Sequence, residues 1–74
     1  MEEKIIAFFE QAYRKEPGTL SRDTKIKEEL GGSSLVMVAV IANIEEEFDV
    51  VYPLPEASKA ETIGVIIDKV KSMA

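Results

Sequence analysis

Two adjacent serines, Ser33 and Ser34, follow a diglycine in the stretch Leu30-Gly31-Gly32-Ser33-Ser34-Leu35, and their hydroxyls are the groups in this 74-residue chain best placed for covalent chemistry. Neither is equipped to attack unaided. The chain has no histidine and no cysteine, and no carboxylate or lysine stands beside Ser34 in sequence, so the base that would activate a nucleophile is missing. As a substrate for another enzyme Ser34 is better suited. Two glycines leave room for an approaching active site, and the apolar run from Leu35 puts Ser34 at a helix start, where free backbone N–H groups and the positive end of the dipole favour a phosphate. Taken alone, Gly-Gly-Ser-Ser is more commonly a helix cap, so the elements around it must carry the argument.

Residues 2–16 place Ile5, Phe8, Phe9 and Ala12 at i, i+3, i+4 and i+7, with Ile6 and Tyr13 widening the stripe and Glu2, Glu3, Glu10, Arg14 and Lys15 on the solvent side. This predicts an amphipathic helix stopped by Pro17-Gly18. Residues 17–33 are a long connection, pinned to the core by Leu20, Ile26 and Leu30, with a short helical turn from Thr24 to Leu30. Leu35 to Ala42 is rich in β-branched residues and would suit a buried strand, but the pattern runs on to Phe48. Met37, Val40, Ile41, Ile44 and Phe48 share one stripe, which predicts a helix of about 15 residues, roughly 22 Å long, capped by Ser33 or Ser34. Pro53 and Pro55 then make a stiff loop, Glu56 to Ala60 a short turn with Pro55 first, and Thr62 caps a last helix built on Ile63, Ile66, Ile67 and Val70. The expected fold is all-α: a four-helix bundle of three principal helices plus one short helix, with a long first loop, in a single domain spanning 1–74.

Composition narrows the function. With 46% hydrophobic and 31% charged residues the chain is expected to fold as a soluble globular protein. Without histidine or cysteine it offers no thiolate metal site and no ordinary general base, so it is not expected to be an enzyme or to bind a metal. A net charge of −5 argues against nucleic acid. The longest apolar run, Leu35 to Ala42, is eight residues and does not span a membrane, and the start Met1-Glu2-Glu3-Lys4 is unlike a signal peptide. A cytoplasmic monomer is the expectation.

Two features of the second long helix point to partners. With one stripe in the core, Leu35, Val36, Ala39 and Ala42 fall on or near the exposed side as an apolar docking surface beside Ser34; the alternative is that the bundle covers most of it. Glu45, Glu46 and Glu47 with Asp49 supply −4 of the −5. Acids at a helix C-terminus oppose its dipole, and a use for them is to steer basic partner surfaces.

Leu30-Gly31-Gly32-Ser33-Ser34-Leu35, the helix closing on Glu45-Glu46-Glu47-Phe48-Asp49, the Pro53 loop and Thr62-Ile63-Gly64 together resemble the acyl carrier protein family across essentially the whole chain. The resemblance implies that Ser34, which precedes Leu35 as in the family's Asp-Ser-Leu motif, carries a 4′-phosphopantetheine arm. A magnesium-dependent phosphopantetheinyl transferase would install it from coenzyme A. The arm's thiol would hold acyl groups as thioesters for acyl-loading and synthase enzymes of fatty-acid or polyketide-type synthesis. Ser33 stands where the family has aspartate, and Val36 where it commonly has an acid, so docking is expected to differ in kind. Leu-Gly-Gly before the serine is also what peptidyl carriers show, so an aminoacyl or peptidyl carrier is the alternative; an unmodified helical adaptor is a more distant one. Phe8, Ile41, Ile44, Ala57, Ala60, Ile63 and Ile66 read as core, and by resemblance some would part to admit an acyl chain.

Overall fold

A computed structural model of the protein describes residues 1–31 and 34–74. The described residues form five helices: α1 Glu2–Ala12, α2 Ile26–Leu30, α3 Ser34–Phe48, α4 Leu54–Lys59 and α5 Ile63–Met73. The all-α bundle expected from periodicity is present, with α2 as the helical turn anticipated in the long loop. Capping roles read for Ser33 and for the Ser34 side chain, and the hinge role of Gly32, lie outside the described residues.

Apolar spacing explains which faces meet. Ile5 and Phe9 of α1, Val40 and Ile44 of α3, and Ile63, Ile66, Ile67 and Val70 of α5 are completely buried, and Ile26 joins them from α2. Each such side chain contributes about 1.5–3 kcal/mol. α1 packs on α3 and α5, and α4 on α3. The short α4 reaches the core only through Ala57, with Ala60 buried just after its end.

Helix ends depart from the sequence reading at two places. α1 stops at Ala12, short of the expected residue 16, because Arg14 adopts a left-handed conformation at φ 57°. Its N–H donates to the Gln11 carbonyl at 3.3 Å and the Lys15 N–H to the Glu10 carbonyl at 2.7 Å, a Schellman ending that closes the helix before the proline is reached. α3 ends the same way on Asp49, at φ 54°. Pro17-Gly18 instead forms a separate turn, in which Thr19 N–H reaches the Glu16 carbonyl at 3.1 Å and Gly18 supplies a φ of +90°. α4 begins at Leu54, one residue early, with Pro53 as its N-cap and Pro55 at its second position, not its first. Proline has no N–H to lose in the first turn, so this placement is as favourable as the one expected.

Glu10 corrects the solvent-side reading of α1. It is only 6% exposed, and its Oε2 accepts the Gly18 N–H at 2.8 Å and the Leu20 N–H at 3.2 Å. A carboxylate turned inward to satisfy two loop amides is stable where an unpaired one is not.

Candidate functional site

The loop before α3 is held by α5. Thr62 caps α5, its Oγ1 accepting the Val65 N–H at 3.4 Å, while the Ile63 N–H donates to the Thr24 carbonyl at 3.1 Å and the Gly64 N–H to the Arg22 carbonyl at 2.8 Å. The Ile26 N–H returns the pairing to the Glu61 carbonyl at 2.9 Å. The orphan amides of α5 are thus satisfied by the loop that leads to Ser34. Gly64 makes this possible: a Cβ there would lie 2.9 Å from the Arg22 carbonyl oxygen. The Arg22 side chain adds ion pairs to Glu2 at 3.0 Å and, through two bonds of 2.9 Å, to Asp68. Asp68 first, then Glu2, raises the Arg22 pKa. Thr62-Ile63-Gly64 is therefore the clasp that positions the loop.

From this clasp α2 runs to Leu30 and ends on Gly31, left-handed at φ 86°. Ile26 is buried, and Leu20 and Leu30 pack on the core, as expected of the residues read as pins. α3 then opens at Ser34 and has no acid in its first turn. A phosphodiester at that position meets the positive end of a 15-residue helix with no carboxylate of that first turn to repel it. Its neighbours leave space, since Gly31 is exposed and Leu35 is 82% exposed. The residues present fit a bulky anionic group on Ser34.

The apolar face beyond Ser34 is open to solvent. Leu35, Ala39 and Ala42 are exposed and Val36 is half-buried. Val38, 45% exposed, belongs to the same face and was missed, although its spacing of three from Leu35 and four from Ala42 was visible on a helical wheel. The acidic end is less free than its sequence implies. Glu45 turns back to accept the Tyr52 N–H at 2.8 Å, and Glu47 pairs with Lys4 at 2.8 Å. Glu46 is exposed. Among the described residues no group of His, Cys, Asp or Glu could hold a metal ion, and no helix is long and apolar enough to cross a membrane.

Comparison with known proteins agrees with this arrangement. Residues 3–70 match the family described as a phosphopantetheine attachment site. The chain is similar to an acyl carrier protein of Rickettsia bellii (strain RML369-C), with 31% identity over 96% of this chain and 83% of that protein. A second Rickettsia bellii acyl carrier protein (strain OSU 85-389) gives 31% identity over 96% of this chain and 88% of its own length. One from Clostridium acetobutylicum gives 32% identity over 72% and 69%. Families of this kind carry groups for other proteins and are generally not catalytic themselves. A helical bundle clasped so as to offer the start of its longest helix is what such carrying requires, and the chain belongs to the acyl carrier protein family, whose cofactor is covalent 4′-phosphopantetheine.

Proposed function

We propose that Ser34 is the attachment point of the arm and that the protein carries acyl groups for fatty-acid or polyketide-type synthesis, receiving the arm from a phosphopantetheinyl transferase. The observation that carries this reading is the position of Ser34 as the first residue of α3, inside the matched region and next to the exposed Leu35. When attached, the arm supplies a terminal thiol that holds acyl groups as thioesters. The chain's own residues do the rest. Gly31 and the clasped loop present the helix start, the positive end of α3 would favour the phosphate, and the absence of an acid in that first turn avoids repulsion.

Docking, on this reading, uses Leu35, Ala39 and Ala42 with Val38 added, and Val36 at their edge. Glu46 steers partners more than Glu47, whose charge is offset by Lys4. Residues 1–74 act as one domain, a monomer working in the cytoplasm beside its acyl-loading and synthase enzymes.

The deciding experiment is intact-mass spectrometry after incubation with coenzyme A, magnesium and a broad-specificity phosphopantetheinyl transferase. One added phosphopantetheine is expected, abolished by Ser34→Ala and retained by Ser33→Ala. Folded protein that gains nothing while a control carrier is modified sinks the reading and leaves the adaptor; a gain lost only in Ser33→Ala moves the site by one residue.

A further inference from the structure

Away from the docking face, a cleft of about 250 Å³ lies between α2 and the junction of α4 with α5, lined by Lys25, Lys27, Glu28, Lys59, Ala60 and Glu61. Three of the nine basic residues of an acidic chain converge here. Lys25 is partly neutralised by Glu28 at 3.7 Å. Lys27 and Lys59, like Arg14 and Lys15, form no ion pair among the described residues, whereas Lys4, Arg22, Lys69 and Lys71 do. Three ammonium groups thus line the cleft against the Glu28 and Glu61 carboxylates, a small positive excess in a molecule of net charge −5, with the Glu29 carboxylate beside it accepting the Lys25 N–H at 2.8 Å. Its wall is fixed where Lys25 and Thr62 pair as an isolated bridge, and Ala60 on that wall is small and buried. Ammonium groups that line one cleft repel, and an anion between them relieves the repulsion.

We propose that this cleft binds a small oxyanion, a carboxylate or phosphate, and that its source is the carboxylate-bearing end of a group carried on Ser34. The second half rests on the carrier reading above. The chain itself sets the reach: one turn of α2 and four further residues separate Lys27 from Ser34, so their Cα atoms are no more than roughly 20 Å apart. A long flexible arm anchored at Ser34 covers that span.

The test uses the phosphopantetheine-bearing protein loaded with either a succinyl or a butyryl group, equal in carbon count and differing in the terminal carboxylate. NMR shifts at Lys27, Lys59 and Ala60 are expected with succinyl, not with butyryl, and are lost in Lys27→Gln/Lys59→Gln but kept in Lys27→Arg/Lys59→Arg. Titration of the unmodified protein with succinate and with inorganic phosphate separates the sources. Binding at the same signals is expected, weakened about fivefold by the glutamine pair, the size of two exposed charge pairs, and weakened further by salt. Free anions that bind while the succinyl cargo causes no shift overturn the cargo assignment. No shift with cargo or free anion overturns the site. A protein that never accepts the arm counts against the carrier reading instead, and the free-anion titration then decides the cleft alone.

Discussion

Glu10 and Tyr13 sit three residues apart near the end of α1, and their polar atoms are treated in opposite ways. Glu10 is buried because its carboxylate holds two loop amides. Glu10→Ala strands both N–H groups and is expected to cost about 1–3 kcal/mol in urea unfolding, while Glu10→Gln keeps an acceptor and costs less. The Tyr13 hydroxyl is buried with no hydrogen-bond partner among the described residues, its ring stacked on Phe9 at a centroid separation of 6.2 Å. Tyr13→Phe is therefore expected to raise stability by up to about 1 kcal/mol, read as a higher melting temperature. Burial also raises the Tyr13 pKa, and burial followed by the charge of Glu56 raises that of Tyr52, both above the ordinary 10.0. The unfolded chain then loses these protons first, so stability is intact below about pH 10 and falls as pH rises beyond it. Tyr13→Phe flattens that decline. Periodicity placed Tyr13 on the apolar stripe but put Glu10 on the wrong side. What turns Glu10 inward is a pair of amides eight and ten residues on, which no helical wheel contains.

Among the elements, α3 and α5 were legible because their burial is one-sided. Met37, Val40, Ile41 and Ile44 repeat at helical spacing and are all buried, and the Thr62 cap was readable from residue type. The end of α1 was not, since Arg14 stands where glycine is the usual signal for a left-handed ending. Gly64 was recognised as part of a motif, but its reason is a contact with residue 22 that only the folded chain reveals. Gly64→Ala pushes a methyl into the Arg22 carbonyl and is expected to cost about 1–3 kcal/mol, with faster hydrogen exchange at Ile26 and Ile63. Leu35→Ala removes a side chain that touches little of the fold. Its stability is expected to change by less than about 0.5 kcal/mol, while transfer from the carrier to a synthase enzyme slows about tenfold, as for an anchor residue of an interface. That split between unchanged melting and slowed transfer marks docking.

For the whole molecule, charge acts through its distribution more than its sum. The nominal cluster of four acids is reduced by the ion pair of Glu47 with Lys4, so Glu46→Gln is expected to lower the partner association rate at low salt more than Glu47→Gln does, with the difference vanishing near 1 M salt. The clasp between loop and α5 has a consequence of another kind. Its side-chain bonds join Arg22 to Asp68, 46 positions apart, with α3 and α4 inside the closed segment. Closing so long a segment loses entropy before any bond compensates it, and the clasp is expected to be absent from the folding transition state. Gly64→Ala should then leave the folding rate nearly unchanged and accelerate unfolding by the full loss of stability. The loop segment that Ile63, Gly64 and Asp68 hold is then expected to be guarded by an unfolding barrier, not by the speed of folding.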